Sequence, residues 1–352
     1  MGVVLGRHSA GDDDDVDVEL LRAAQLAAAG GADTGRHFLS EPVFEPLPAV
    51  DAISAQPDRA PGSTAVRAQP VADVAAASGA PARPSRAGRN LPAAIGVALV
   101  LAGAVLASLL VYRPSFVVVV CAAMSYGTFE MVRAMAQHGI KAPLLPLLAG
   151  GLAMDVEAWF QGADALVLGL MLTVAGVLIW RLDGGFEGYQ RDTGAAAFIA
   201  VYVPLLGGFA VLSAHYSDGA GRVLAFILLV ACSDIGGYAA GVLFGRHPMA
   251  PTVSPKKSWE GFGGSLVACA VAGSLLMSQL FHHAWSVGAL FGAAIAVTAT
   301  LGDLGESMIK RDLRVKDMGR LLPGHGGLMD RLDSLLPCAA VAYLVFGLTL
   351  ST

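Results

Sequence analysis

The chain is expected to fold as an all-α, polytopic membrane bundle of about nine transmembrane helices behind a disordered N-terminal tail. Three observations carry this expectation. Of the 352 residues, 55% are hydrophobic and only 14% charged, a balance that a soluble domain does not show. Apolar runs of ~20 residues, the length that crosses a hydrocarbon core, recur from residue 91 onward. Lysine and arginine gather in alternate connections between those runs.

Residues 1–90 hold 12 acids and 8 bases, are rich in Ala, Pro, Gly and Asp, and show no sustained apolar period. Such a segment buries too little apolar surface to offset its chain entropy, so a disordered cytoplasmic tail is expected. It has no apolar h-region and is acidic, with Asp12 to Asp15 in a row, so it does not read as a cleavable signal peptide. Only 17–29 reads as a brief helix.

The transmembrane domain, 91–352, is expected to carry spans at 92–112, 115–132, 143–160, 163–180, 194–214, 223–244, 262–281, 284–302 and 335–351. The third is the least apolar, since Asp155 and Glu157 sit near its end. With the N-terminus in the cytoplasm, 16 bases fall on the cytoplasmic segments next to the spans, five more lie in the distal tail, and only Arg113 and Arg222 fall outside. This sidedness puts the C-terminus outside and both polar loops, 245–261 and 303–334, in the cytoplasm. A bacterial inner membrane suits the Ala- and Gly-rich composition.

Net charge is −5, and no basic face for nucleic acid emerges. Cys121, Cys232, Cys269 and Cys338 stand singly in apolar runs without zinc-type spacing, so they read as small buried hydrophobes. His138, His215 and His247 also lack ligand spacing and read as structural; His282 and His283 adjoin an outer loop. The 181–192 connector carries mixed charge and reads as a solvated loop.

Residues 303–334 are the most polar segment of the second half, held between two apolar runs. On a continuing helix Asp303, Glu306, Ser307 and Lys310 fall at i, i+3, i+4 and i+7 and share a face. Pro323 and Gly324 stop the helix. His325, Gly326 and Gly327 form a turn where backbone can approach a ligand. Asp330 and Asp333 follow at i, i+3, with Arg331 between them. Hard oxygen ligands beside Lys310, Arg311, Lys316 and Arg331 suit a magnesium-bound polyphosphate.

A second polar stretch, 233–264, starts inside a span. Asp234 lies at membrane depth, where an ionisable group is costly and marks function or a buried partner. Tyr238 is one turn on, on the same face. Gly237, Gly241 and Gly245 recur every fourth residue and favour close helix packing. The loop that follows carries Lys256 and Lys257 with Ser254 and Ser258. Paired lysines and hydroxyls hold phosphate oxygens, although paired lysines at a membrane edge also serve as topology anchors.

The run Ser307-x-Ile309-Lys310-Arg311, then Lys316-Asp317, then Pro323-x-His325-Gly326-Gly327-x-x-Asp330-Arg331-x-Asp333 resembles the signature of the phosphatidate cytidylyltransferase (CDP-diacylglycerol synthase) family. The earlier Asp234-x-x-x-Tyr238 helix and the Ser254-Pro255-Lys256-Lys257-Ser258-x-Glu260-Gly261 loop are similar to that family too, with Ser258 where it has Thr. The likeness is strong over 231–334, loose over 91–230 and absent from 1–90. It implies transfer of a cytidylyl group from CTP to phosphatidate in the bilayer, giving CDP-diacylglycerol and pyrophosphate for phospholipid biosynthesis.

The resemblance implies a metal-containing centre at Asp303 and Asp330, taking Mg2+ or a similar hard divalent cation and leaving room for a monovalent co-ion. Asp303, Lys310, Asp330 and Asp333 are the expected catalytic residues. Asp234, Tyr238, Lys256, Lys257, Ser307, Arg311, His325 and Arg331 are the expected substrate contacts. His325 is expected to structure the turn or touch phosphate, because an ionised phosphate monoester needs no general base. A homodimer is compatible with the chain, and no nucleic-acid partner is expected. Two other readings use the same features: a CTP-dependent lipid kinase of the polyprenol or dolichol type, and a transporter whose Asp234 carries a proton or ion.

Overall fold

The computed structural model describes residues 91–319 and 326–350. The tail expected over 1–90 lies outside the described residues, as does His325. The described chain is helical apart from one short hairpin. Helices α1 (Leu91–Leu110), α2 (Pro114–Ala136), α3 (Leu144–Gln161) and α4 (Ala163–Leu182) come first. Helix α5 (Tyr189–Ala200) runs through a π-helical turn, Val201–Leu205, into α6 (Leu206–His215). Then follow α7 (Gly219–Phe244), strands β1 (Pro248–Ala250) and β2 (Ser254–Ser258), α8 (Trp259–Gln279), α9 (Trp285–Asp312), the single turn α10 (Met329–Leu332) and α11 (Leu335–Thr349).

Among the described residues, seven helical segments are long and apolar enough to cross a membrane: α2, α4, α5 with α6, α7, α8, α9, and α10 with α11. The other two expected spans coincide with helices as well. Helix α1 offers a shorter apolar stretch, Leu99–Leu110. Helix α3 falls short in apolarity because of Asp155 and Glu157, and Asp155 is fully buried in the bundle. The all-helical membrane architecture is therefore as the apolar runs predict. Exposed Leu172, Ile179, Val267, Leu275 and Leu290 form the outward surface such a bundle turns to lipid.

The π turn has a local cause. Pro204 lies inside the fifth span and supplies no N–H, so the helix widens around it rather than breaking. The widened turn packs close to Gly151 of α3, where an added Cβ would meet Pro204 Cβ at 3.1 Å.

The second half is built on backbone-to-backbone contact. A Cβ on Gly236 of α7 would lie 2.8 Å from the Gly264 carbonyl of α8. A Cβ on Gly292 of α9 would lie 1.9 Å from the Cys269 carbonyl of α8. Small residues let spans approach this closely where no hydrophobic driving force separates helix from lipid. Ser265 Oγ donates to the Ser233 carbonyl at 2.7 Å and joins α8 to α7 directly. Of the expected packing glycines, Gly237 faces Ser265.

The two ends of the bundle differ in charge. Arg113 and Arg222 meet at one end. Arg113 Nη1 donates to the Ser217 carbonyl at 2.9 Å, and Arg222 pairs with Asp218 at 2.7 Å and lies over the Tyr216 ring. At the other end the 181–192 connector proves more than a solvated loop. Arg181 and Asp192 form a buried pair at 2.7 Å, and Arg191 donates to the Gly139 carbonyl at 2.6 Å, tying neighbouring turns together. The lone histidines are accounted for locally: His138 bonds the Ala134 carbonyl, and His215 packs edge-on against Trp159.

Candidate active site

Two polar loops emerge at the same end of the bundle, and one side-chain pair joins them. The first loop is the β1–β2 hairpin between α7 and α8. Its strands are antiparallel, with Pro248 opposite Ser258 and Ala250 opposite Ser254. Ser258 ends the hairpin and caps α8, its Oγ accepting from Gly261 N at 3.1 Å. Glu260, in the first turn of α8, folds back on the hairpin. Its Oε2 accepts the Arg246 and His247 amides at 3.2 Å each, and its Oε1 faces His247 Nδ1 at 2.5 Å. The hairpin is thus clasped by a residue 13 positions downstream of His247.

This clasp aims Lys257 at the second loop. Lys257 Nζ pairs with Asp303 Oδ2 of α9 at 2.6 Å and reaches the Thr300 carbonyl at 3.4 Å. Both side chains keep solvent access, at 24% and 41% exposure, so the pair can open to a ligand. A cavity of about 290 Å³ lies over it, lined by Asp234, Tyr238, Lys256, Lys257, Ser258 and Asp303 among others. Asp234 is within electrostatic reach of the acids Asp303 and Asp333 and of the bases Lys257 and Arg331. Tyr238, one turn further along α7, is exposed. Arg311 Nε donates to the Val253 carbonyl at 3.3 Å and fastens the hairpin to α9.

Deeper in, the helical spacing of α9 has its expected effect. Glu306 and Lys310 follow Asp303 on one face, with Ser307 half-buried beside them. Glu306 is fully buried and ion-paired with Lys310. Lys310 Nζ also bonds Asp330 Oδ1 at 3.1 Å, so one ammonium bridges α9 to α10. Asp330 does more than meet that lysine. Its Oδ2 accepts Gly327 N at 2.7 Å and Met318 N at 3.0 Å, which closes the loop before α10. Gly326 takes φ +81° there, a left-handed turn that a Cβ would strain. Asp333 sits next to Ser334 N, which donates to its Oδ1 at 2.7 Å, and feels the charges of Asp303 and Glu306.

The donor set is all oxygen, as a hard divalent cation requires. Among the described residues no three His, Cys, Asp or Glu side chains converge on one ligation point. The buried Glu306 oxygens nevertheless receive no well-directed hydrogen bond. Beyond the Lys310 pair the buried Glu306 carboxylate has no donor among the described residues, and a hard cation fits beside it. Lys257, Lys310 and Arg331 supply positive charge at the cluster.

The structure thus brings Asp234, Tyr238, Lys256, Lys257 and Asp303 round one cavity, and joins Lys310 and Asp330 in a cluster two turns further along α9. Arg331 has interactions of its own within this polar region. Three carboxylates received no role from the sequence: Glu260, Glu306 and Glu130. Glu130 lies on α2, and its Oε2 accepts Met329 N at 2.8 Å. An acid inside an apolar span was the available signal for it.

Comparison with known proteins gives the family. Residues 92–349 match the model of the cytidylyltransferase family. The chain is 46% identical over 280 residues to the phosphatidate cytidylyltransferase of Mycobacterium leprae, covering 75% of this chain and 89% of that protein. It is 46% identical over 278 residues to the Mycobacterium bovis protein of the same name, covering 75% and 90%. A more distant relative of that name, from Synechocystis, is 32% identical over 283 residues, covering 72% and 94%. A membrane bundle with two polar loops meeting over one acidic and basic cavity, matched along its whole helical region, belongs to the cytidylyltransferase family.

Proposed function

We propose that the protein transfers the cytidylyl group of CTP to phosphatidate, forming CDP-diacylglycerol and releasing pyrophosphate. The observation that carries this reading is the Lys257–Asp303 pair under a cavity that also contains Asp234 of a membrane span. Such a cavity meets water through the two loops and lipid through α7, which is what joining a soluble nucleotide to a lipid phosphate requires. The relatives named above support the choice of CTP and phosphatidate.

A phosphate oxygen of phosphatidate attacks the α-phosphorus of CTP in line. A new P–O–P linkage forms, the bond from the α-phosphorus to the bridging oxygen breaks, and its electron pair leaves with pyrophosphate. The attacking phosphate is already ionised, so no side chain has to remove a proton. Catalysis rests on orientation and on offsetting the charge of two anionic substrates. Lys257 and Lys256 bind phosphate oxygens from the hairpin. Lys310 and Arg311 offset charge on the triphosphate and on departing pyrophosphate, and Arg331 and Ser307 contact the same oxygens. Asp234 and Tyr238 orient the lipid headgroup, with His325 contacting phosphate at the turn.

Asp303 and Asp330, with Asp333 beside them, would hold a divalent cation of the magnesium type. When bound, it supplies Lewis-acid neutralisation of triphosphate charge. The loops are cytoplasmic in this reading and the C-terminus lies outside. The sidedness of Lys and Arg supports this, since Arg113 and Arg222 meet at the end opposite the site.

Purified protein in detergent, given phosphatidate, magnesium and CTP labelled at the α-phosphorus, provides the test. Label entering the lipid phase with equimolar pyrophosphate is the expected result. Label remaining in water as CDP, with phosphate on an added lipid alcohol, would instead make the protein a kinase. No consumption of CTP would return the transporter reading.

A further inference from the structure

The turn before α10 is held from outside its own motif. Glu130, 2% exposed, lies on α2 and reaches the turn from 199 residues away, accepting Met329 N at 2.8 Å. Two backbone positions of the turn press directly on its carboxylate. A Cβ on Gly327 would sit 2.6 Å from Glu130 Oε2, and a Cβ on Gly319 would sit 1.8 Å from Oε1. At both positions the missing Cβ leaves the space that this carboxylate occupies. The same turn presents Gly327 N and Met318 N to Asp330, whose other oxygen meets Lys310. Asp330 can stand where it does only if the Gly327–Met329 backbone is fixed. The chain provides one carboxylate from within the loop and one from α2 to fix it.

We propose that Glu130 is a positioning residue for cytidylyl transfer: it clamps the turn that carries Asp330 and thereby sets the Asp330–Lys310 pair. It touches no substrate. Its Oε2 receives the amide, while Oε1 lies against Gly319 without a hydrogen-bond partner among the described residues. One acceptor oxygen is thus sufficient, so a glutamine can replace the glutamate and a leucine of similar volume cannot. The inference rests on the assignment of Asp330 to the reacting end.

The test compares Glu130→Gln, Glu130→Leu and Asp330→Asn in the purified full-length protein. Turnover is expressed per folded molecule, and backbone hydrogen exchange is read at residues 326–332. Glu130→Gln is expected to keep kcat within about threefold, whereas Glu130→Leu loses at least about thirtyfold through an unpaired amide and a displaced pair. Exchange should rise at 326–332 in Glu130→Leu and stay unchanged in the rest of α2. Gly327→Ala should reproduce the kcat loss. Wild-type turnover in Glu130→Leu beside an inactive Asp330→Asn would overturn the inference alone. Wild-type turnover in both would overturn the Asp330 assignment as well. Equal losses in Glu130→Gln and Glu130→Leu, with exchange raised across the bundle, would reduce Glu130 to a general packing role and also overturn it.

Discussion

The hairpin loop and the signature loop solve one problem in two ways. Each must hold a polar segment at a membrane edge, and each does so with a carboxylate that accepts backbone amides. In the hairpin the acid is local. Glu260 begins the next helix and folds back over Arg246 and His247. In the signature loop the acids come from both near and far: Asp330 closes the turn from within, and Glu130 closes it from α2. A locally clasped loop keeps its shape wherever the rest of the bundle sits. A remotely clasped loop keeps its shape only when α2 is packed beside α10. The hairpin is therefore clasped within its own stretch of chain, with Arg311 and Asp303 of α9 holding it to the bundle, and the signature loop depends on α2 as well.

The largest expected effect breaks the point where the two loops meet. Asp303→Ala should lower turnover by about a thousandfold or more while membrane insertion stays intact, because it removes the group that joins hairpin to helix at the reacting end. Retained activity in this variant would separate the cavity from the chemistry. Lys257→Ala comes next, with kcat/KM down by about a hundredfold as a charge-assisted phosphate contact is lost, measured over a CTP and a phosphatidate series. The substrate whose KM rises more is the one the lysine holds. Glu260→Gln tests the local clasp. It keeps one acceptor but weakens the His247 contact, so a loss of about fivefold is expected, with faster exchange confined to 246–258. Exchange spreading into α10 would show that the two loops are not independent. The smallest effect is Ser258→Ala, which removes the α8 cap. It should cost about 1 kcal/mol, read as a slightly lower unfolding midpoint in detergent.

The contrast also explains what the sequence could reveal. Apolar runs and charge sidedness predict helices at the right places because lipid forces every backbone group to pair within its own segment. The face shared by Asp303, Glu306 and Lys310 was readable because it needs only helical spacing. The cavity was partly readable. Asp234, Lys256 and Lys257 stand out locally, but the Lys257–Asp303 contact spans 46 positions and follows only from how α7, α8 and α9 pack on their glycines. Glu130 was the hardest to place. Its acid inside a span signals a role, yet nothing near it names a partner 199 residues away. The 181–192 connector misled for the same reason: mixed charge looks solvated in one dimension, while Arg181 and Asp192 meet only when two turns are brought together. Long-range pairing is set by tertiary packing, which local patterns do not encode.

The central claim is a direct, single displacement carried out by positioning and charge. It is tested most sharply by the stereochemical course at phosphorus. CTP carrying one sulfur in a defined configuration at the α-phosphate is turned over with phosphatidate, and the configuration of the CDP-diacylglycerol thiophosphate is determined. In-line attack by the lipid phosphate predicts inversion. Retention would require two displacements through a covalent enzyme intermediate, and would contradict the account.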